Sequence, residues 1–246
     1  MATTESRPHG RMWRIVDPVD GLYRAVADAI AERAQDILRR QARFTMVLSG
    51  GNTPRALYAL LANAYRHRID WNRVHFFWGD ERYVPLDHPA SNYRMAREVL
   101  IDPLEIPRAN VHPMPVDEAE PRRTAQRYEE HLRETFGGMP RFDLILLGMG
   151  SDGHTASLFP NTPALAERER WVAVGEAPTE PRIRLTLTLP VLNAGRCVYF
   201  LVTGADKAEM VRKVLLENAP VPAGLVRPEA GELVWWLDAE SAAHMR

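Results

Sequence analysis

The sequence feature that most constrains the fold is a run of four apolar residues, Leu144–Leu147, that ends in a glycine-rich loop. Three glycines follow within six residues, and the loop continues through Asp152 and His154. The run predicts a buried strand, and open α/β sheets bind ligands in the loops at the carboxyl ends of their strands. A histidine in such a loop exchanges a proton near neutral pH. We therefore predict that His154 is an acid–base group, with Asp152 beside it.

The other apolar segments alternate between strand-like and helix-like patterns. Buried strands are predicted over residues 44–48, 74–78, 142–147, 198–202 and 233–237. Helical spacing of apolar residues covers 22–38, 93–100 and 124–136, and it recurs after residues 53 and 203. Residues 171–174 and 184–188 are predicted as further strands, and the polar–apolar alternation of the second favours an edge or a half-exposed face. Strands that alternate with helices indicate βαβ units, so the predicted fold class is α/β with a largely parallel, doubly wound sheet.

Composition limits the domain organisation and the partners. The 246 residues, 46% of them hydrophobic, suffice for one α/β domain, which we predict over residues 12–246 after a polar, flexible tail over residues 1–11. A formal charge of −1 argues against a general nucleic-acid binder, because no strong positive field would attract phosphates. No stretch approaches the roughly 18 apolar residues of a membrane span, and no apolar signal region is visible. The sequence therefore predicts a cytoplasmic protein without nucleic-acid or membrane partners.

The loop after residues 44–48 is a candidate phosphate site. It contains Ser49, Gly50, Gly51, Asn52 and Thr53, and Pro54 follows. Pro54 fits the first position of a helix with Thr53 as its cap, and glycines allow backbone N–H groups to approach an anion at the helix start. An ordinary capped helix start is the alternative interpretation. The spacing matches neither a P-loop nor a dinucleotide-binding fingerprint.

Charged residues follow two further predicted strands. Asp80 and Arg82 come directly after the run 74–78, so Asp80 is expected to emerge from the core. Arg82 is a candidate for a forked contact with a phosphate or carboxylate, and either Asp80 or Asp152 is a candidate to orient His154. Lys207 lies in the first turn of a predicted helix, where the helix dipole disfavours a lysine. A phosphate shared with the Ser49–Thr53 loop would explain that placement, and a tolerated surface lysine is the alternative.

No residue pattern indicates a metal site. Cys197 is the single cysteine, which excludes an internal disulfide and a thiolate zinc site. His154 has no second histidine at metal-ligand spacing, and the other seven histidines have no comparable setting.

Five segments occur in the order that one enzyme family shows: LSGGNTP (48–54), FFWGDERYVPLDHPASNYRMAREVLI (76–101), FDLILLGMGSDGHTASLFP (142–160), LTLPVLNAG (187–195) and VTGADKAEMV (202–211). Together they resemble the 6-phosphogluconolactonases of the larger glucosamine-6-phosphate isomerase/6-phosphogluconolactonase family. The resemblance implies a modified Rossmann-like sheet without a metal or an organic cofactor. It also implies hydrolysis of a small sugar-phosphate lactone, 6-phospho-D-glucono-1,5-lactone, in the oxidative pentose phosphate pathway. A monomer or a homodimer is expected.

The same resemblance implies roles for individual residues. The general base falls on His154, and Asp80 lines the reactive end of the substrate. Phosphate-binding positions fall on the Ser49–Thr53 loop, Arg82 and Lys207. The sequence leaves open which of Arg82, Lys207 and Arg184 holds the phosphate and which faces the lactone.

Two alternative functions are less favoured. An amino-sugar phosphate deaminase/isomerase resembles this chain through Asp-Gly-His, but an Asn-Glu-Pro segment with a carboxylate follows there, whereas residues 157–160 of this chain contain no acid. A non-catalytic sugar-phosphate sensor usually carries an effector such as a helix-turn-helix reader. About forty residues precede the first predicted strand here, and they contain one amphipathic helix.

Overall fold

The computed structural model describes residues 2–6, 11–116 and 119–245. The strands, in chain order, are β1 (Ala2–Ser6), β2 (Met12–Asp17), β3 (Phe44–Leu48), β4 (Val74–Trp78), β5 (Asp80–Arg82), β6 (Val111–His112), β7 (Leu144–Leu147), β8 (Val172–Glu176), β9 (Ile183–Leu187), β10 (Cys197–Val202) and β11 (Glu232–Leu237). The α-helices are α1 (Val19–Leu38), α2 (Asn52–Ala64), α3 (Asn92–Ala96), α4 (Pro121–Phe136), α5 (Pro163–Ala166), α6 (Leu189–Ala194), α7 (Ala208–Leu215) and α8 (Pro222–Leu225).

The main sheet has the strand order β1-β2-β11-β10-β7-β3-β4-β6. Every neighbouring pair is parallel except β1 and β2. All residues of β3, β7 and β10 are buried, as expected of parallel strands with both faces covered. Helix α1 buries one face through residues at helical spacing, among them Leu22, Val26 and Ile30. The predicted fold class, a largely parallel α/β sheet flanked by helices, is confirmed.

A second, smaller sheet is antiparallel and has the order β5-β9-β8. The predicted edge position of residues 184–188 is wrong, because β9 is the middle strand. Its polar residues are buried instead of facing solvent: Thr186 is fully buried, and its hydroxyl donates to the carbonyl of Leu187 and accepts from the Ser157 N–H. Since a threonine hydroxyl that finds such partners is readily buried, alternation with apolar residues did not indicate exposure here.

The amino-terminal region differs from the expected tail and single helix. Residues 2–6 form β1, which pairs antiparallel with β2, whereas residues 7–10 lie outside the described part of the chain. Strand β2 was not predicted, and it pairs in parallel with β11, with Trp13 opposite Trp235. Its apolar residues are interrupted by Arg14, so the sequence shows no clear strand pattern there. The strand pairs with β11, which lies more than 200 positions away along the chain. Within the described residues, no helix has the length and the apolar character to cross a membrane.

Candidate active site

The loops predicted to carry chemistry follow β3, β4, β7 and β10, which are neighbours in the main sheet. We call them the β3 loop (residues 49–53), the β4 loop (79–82), the β7 loop (148–160) and the β10 loop (203–207). The hydroxyl oxygens of Thr53 and Thr203 are 2.8 Å apart, which joins the β3 and β10 loops. The Ser157 hydroxyl donates to Asp80 Oδ2 at 2.6 Å, which joins the β7 and β4 loops. The structure thus brings the predicted loops together at the carboxyl edge of the sheet, where such folds bind ligands.

His154 and Asp152 form a hydrogen-bonded pair in the β7 loop. Asp152 Oδ1 lies 2.6 Å from His154 Nδ1 and also accepts the His154 backbone N–H at 3.0 Å. Partial burial raises the pKa of Asp152, but the hydrogen bonds from the His154 backbone and ring outweigh it and leave this pKa below its ordinary value. An ionised carboxylate only accepts hydrogen bonds, so Nδ1 carries the hydrogen and Nε2 of the neutral ring is an acceptor. None of the described residues hydrogen-bonds to Nε2, and a third of the side chain is exposed.

A glycine is required beside this pair. A Cβ atom on Gly150 would lie 2.1 Å from His154 Nδ1 and 2.6 Å from Asp152 Oδ1, well inside van der Waals contact. The loop closes through the Gly150 N–H, which donates to the carbonyl of His154 at 2.9 Å. The buried Phe159 ring packs against the imidazole with 4.4 Å between centroids. The glycine-rich pattern therefore has a steric reason: it lets the carboxylate and the imidazole approach the backbone.

Asp80 does not contact His154. Its carboxylate is buried, and it accepts hydrogen bonds from the Ser157 hydroxyl and, at 3.3 Å, from Asn92 Nδ2. Asn92 also donates to the Asp80 carbonyl at 3.0 Å. Of the two carboxylates that the sequence offered as partners of His154, the structure therefore pairs Asp152 with it and holds Asp80 through Ser157 and Asn92.

The β3 loop is shaped by two close contacts. A Cβ atom on Gly50 would lie 1.9 Å from Asn92 Oδ1, so a larger residue there would displace the buried Asn92 side chain at the start of α3. The buried Tyr58 hydroxyl accepts the Ser49 N–H at 2.9 Å and donates to the Ser49 carbonyl at 3.0 Å. The Ser49 N–H is therefore already paired, and the N–H groups that remain for an anion are those at the start of α2.

The predicted cap of α2 is wrong. The helix begins at Asn52 with Gly51 as its N-cap at φ 110°, and the Thr53 side chain contacts Thr203 instead of capping the helix. Pro54 consequently lies in the third helical position, where it is tolerated because first-turn N–H groups have no intrahelical acceptor. The left-handed Gly51 turns the chain so that the helix starts directly at the loop.

The three cations that the sequence predicted, Arg82, Arg184 and Lys207, lie in different settings around the cleft, by which we mean the region where the β3, β4, β7 and β10 loops meet. Arg82 lines a cavity of about 370 Å³ together with Gly51, Asn52, Arg55 and the segment 89–92, and its Nη1 donates to the Ala90 carbonyl at 2.7 Å. Its Nε is buried without a partner in the described part of the chain. Arg184 lies opposite Arg82 in the β5–β9 register. Burial, followed by repulsion from Arg82, lowers the pKa of Arg184.

Lys207 is separate from this cavity. It ends a 3₁₀ turn (Ala205–Lys207) just before α7, and its Nζ lies 2.9 Å from Asp206 Oδ2. The turn shares its loop with Thr203, which contacts Thr53 across the cleft. Arg82 therefore lines the same cavity as Gly51 and Asn52 of the β3 loop, whereas Lys207 belongs to the β10 loop, which contacts the β3 loop through Thr203.

Four residues of the site were not predicted as such: Ser157, Asn92, Phe159 and Tyr58. The first three lie inside the family-like segments, so the sequence indicated that they are near the site but did not indicate which residues they contact. Tyr58 was not predicted because in the sequence it is one more apolar residue of α2. In the structure its hydroxyl contacts Ser49, in the loop that precedes the helix. Within the described residues, no cluster of three or more His, Cys, Asp or Glu side chains is arranged to hold a metal ion.

Comparisons with known proteins agree with this architecture. A family model described as glucosamine-6-phosphate isomerases/6-phosphogluconolactonase matches residues 18–235. A 6-phosphogluconolactonase of Synechocystis is 47% identical over 228 residues, covering 90% of this chain and 89% of that protein. The human 6-phosphogluconolactonase is 43% identical over 233 residues, covering 90% of this chain and 88% of the human one.

Solved structures give the same result. The 6-phosphogluconolactonase of Thermotoga maritima superposes with a TM-score of 0.83 at 33% identity, covering 93% of this chain and 99% of that one. That of Trypanosoma brucei has a TM-score of 0.84 at 32% identity, covering 99% of this chain and 100% of the other. The fold, the loops and the sequence match agree, and the chain belongs to the glucosamine-6-phosphate isomerase/6-phosphogluconolactonase family.

Proposed function

We propose that the chain hydrolyses 6-phospho-D-glucono-1,5-lactone to 6-phospho-D-gluconate, as a step of the oxidative pentose phosphate pathway. The observation that carries this proposal is the contact between Asp152 and His154, which leaves an accepting ring nitrogen at the ligand-binding edge of the sheet. The 6-phosphogluconolactonases among its relatives, at 43% and 47% identity, support the substrate. The matches cover most of the chain and most of each relative, which supports a shared activity.

His154 acts as the base. A lactone carbonyl is already electrophilic, so the reaction needs a positioned water, a base and stabilisation of an oxyanion. Nε2 removes a proton from water as the water oxygen attacks C1, and the carbonyl electrons move onto the carbonyl oxygen. When the tetrahedral intermediate collapses, the C1–ring oxygen bond breaks and protonated His154 returns the proton to the ring oxygen. Asp152 keeps Nδ1 protonated throughout, and general base catalysis of this kind contributes about 10²–10⁴-fold.

The phosphate is held at the other end of the cleft. The start of α2, with Gly51, Asn52 and Thr53, supplies unpaired N–H groups and the positive end of the helix dipole. Arg82 lines the same cavity as Gly51 and Asn52, and an arginine binds phosphate oxygens with two parallel hydrogen bonds. Lys207 lies in the loop whose Thr203 contacts Thr53, and it is the second cation that we assign to the phosphate. Arg184 adds positive charge next to Arg82 without a direct role in our proposal. Asp80, held by Ser157 and Asn92, lines the reactive end.

The proposal is tested by following freshly generated 6-phosphogluconolactone by NMR, with an enzyme-free sample because the lactone also hydrolyses spontaneously. We expect acceleration with the wild-type protein and its loss in His154→Ala. His67→Ala is the matched control, because His67 is exposed in the turn after α2, and its activity should equal that of the wild type. Acceleration that persists in His154→Ala would reject His154 as the base, and an inactive wild-type protein would reject the lactonase function.

The same preparation distinguishes the alternatives. Ammonia release from glucosamine 6-phosphate would indicate the deaminase/isomerase reaction, and saturable binding of 6-phosphogluconate without turnover would indicate a sensor. The cytoplasmic location and the monomeric or homodimeric state stay predictions, which fractionation and light scattering would check.

A further inference from the structure

One carboxylate of the cleft region remains without a role. Glu81 lies between Asp80 and Arg82 in β5 and is fully buried. Its Oε1 accepts the backbone N–H groups of Arg82 and Asn92, each at 2.7 Å. Its Oε2 accepts the backbone N–H of Tyr93 at 2.7 Å and the Ser91 hydroxyl at 3.1 Å. A single side chain thus collects four donors from two separate segments.

Burial works against this arrangement. It raises the pKa of Glu81 to about 7, against the lowering by the N–H groups of Asn92, Tyr93 and Arg82, and the charge of Asp80 raises it further. All four partners are donors, so the ionised carboxylate is the form of Glu81 that pairs with every one of them. All of them belong to β5 or to the N-cap and first residues of α3, so the anion fixes the distance between those two elements.

The two elements that Glu81 joins both carry residues of the cleft. Arg82 and the segment 89–92 line the same cavity, and Arg82 contacts the Ala90 carbonyl. Asn92 contacts the Asp80 carboxylate and fits against Gly50 of the β3 loop. A change at Glu81 would therefore reach Arg82, Asn92 and Asp80 together, although the Glu81 side chain itself is closed off from solvent.

We infer that Glu81 is a positioning residue, which holds Arg82 and the 91–93 segment in the geometry that binds the phosphorylated end of the substrate. The inference rests on the proposed lactonase function. We assign the effect of Glu81 to substrate binding because the Glu81 side chain hydrogen-bonds to Arg82 and to residues 91–93. Among the described residues, it has no hydrogen bond to His154 or Asp152. A role in stability alone would weaken the protein without changing its affinity for the substrate.

The test compares Glu81→Gln with Asp143→Asn. Asp143 is a second buried carboxylate that accepts a backbone N–H, that of Thr45 at 2.8 Å, and it lies at the amino ends of β3 and β7, opposite the cleft. Both substitutions replace a buried carboxylate by an amide. The amide nitrogen that Glu81→Gln introduces faces N–H donors and leaves at least one of them unpaired. The thermal midpoint of each variant is measured first. KM and kcat for the lactone and the Kd of 6-phosphogluconate by calorimetry are then measured well below that midpoint.

We expect Glu81→Gln to raise KM and the Kd of 6-phosphogluconate about tenfold or more, with a smaller change in kcat. Asp143→Asn is expected to keep both constants within about twofold, whatever its midpoint. Unchanged KM and Kd in Glu81→Gln, or an equal rise in Asp143→Asn, would overturn the inference while leaving the lactonase function intact. A wild-type protein that neither binds nor hydrolyses would overturn the proposed function, and the inference with it.

If Glu81→Gln does not fold, Glu81→Asp provides the test of the positioning role instead. It retains the charge but withdraws the carboxylate by one methylene group, which lengthens the contacts to Asn92 and Tyr93 N–H. A raised KM with a near-normal kcat supports the positioning role, and an unchanged KM rejects it.

Discussion

Two of the histidine settings in the described part of the chain differ in their partners and their exposure. His154 pairs with one carboxylate and keeps a third of its side chain exposed. His112 lies between two other imidazoles: its Nε2 is 3.1 Å from His75 Nδ1, and its Nδ1 is 2.9 Å from His131 Nε2. Phe77 also stacks on the His112 ring, with 4.4 Å between centroids. The first setting leaves a ring nitrogen for chemistry, and the second uses both nitrogens internally.

The difference follows from the partners. A carboxylate only accepts, so it fixes the hydrogen on the facing nitrogen of His154 and leaves the other nitrogen as an acceptor. Each contact in a chain of imidazoles holds one shared hydrogen, so neutral rings can hydrogen-bond along the whole chain. A positive charge on the central ring is repelled by the positive charges of its neighbours. Burial, followed by the charges of His131, His75 and Arg43, lowers the pKa of His112 to about 4. The partners of its two nitrogens therefore decide whether a histidine keeps a ring nitrogen available to a ligand.

The contrast between the two histidine settings is tested by removing each ring in turn. His154→Ala should lose about 10²–10⁴-fold in kcat because the base is gone, with a small change in stability. His112→Ala should keep kcat within about threefold and lose about 1–3 kcal/mol of unfolding free energy, because two contacts and a stacked ring disappear. Lactone turnover and denaturant unfolding of both variants measure this. A large loss of kcat in His112→Ala would contradict the distinction.

The carboxylate partner gives the next largest expected effect. Asp152→Asn should lower kcat between about 10- and 100-fold, since the amide accepts or donates and no longer fixes one tautomer of His154. Asp36→Asn is the control, because Asp36 pairs with Arg39 and Arg40 on an exposed face of α1. Single-turnover rates with the lactone decide the point. A variant as fast as the wild type would show that Asp152 does not control the tautomer.

The glycine beside His154 tests how closely the pair has to approach the backbone. Gly150→Ala should lower kcat about tenfold, because its Cβ would lie 2.1 Å from Nδ1 and would displace the ring. Gly138→Ala is the matched control, since no atom lies within 4 Å of a Cβ built there. Measuring the kcat of both variants well below their thermal midpoints separates the steric effect from a loss of stability. Equal activity of the two variants would remove the steric explanation for this glycine.

The smallest expected effect is on the pH dependence of stability. The pKa of His112 is lower in the folded protein, at about 4, than its ordinary value of 6.5, so the unfolded chain binds more protons between these limits. The stability associated with neutral His112 is present above about pH 6.5 and is lost as the pH falls towards about 4. After allowance for solvent screening, the loss is on the order of 1 kcal/mol.

Unfolding free energies at about pH 7 and about pH 5 check this expectation. His112→Gln should show a smaller decrease than the wild type, whereas His67→Gln, which changes an exposed histidine, should show the same decrease. A wild-type decrease that survives intact in His112→Gln would assign the pH dependence to other groups.

Much of the fold was predictable because its signals are local. The buried strands 44–48 and 74–78 have the predicted bounds, and the loops after β3, β4, β7 and β10 meet where parallel strands end. Strand β2, the central place of β9 and the chain of His75, His112 and His131 were not predicted. Each depends on partners that are distant in sequence, such as β11 for β2, and no local pattern identifies such a partner.

Local sequence patterns were enough to place the β3, β4, β7 and β10 loops at the cleft: an apolar strand followed by glycines carries Asp152 and His154 to the edge of the sheet, and family-like segments form the other loops. The contacts between those loops depend on the tertiary structure. It paired Asp152 with His154, gave Asp80 to Ser157 and Asn92, and placed Arg184 beside Arg82. The physical reason is that backbone order along a strand is local, whereas a hydrogen bond between loops depends on the three-dimensional register of separate strands.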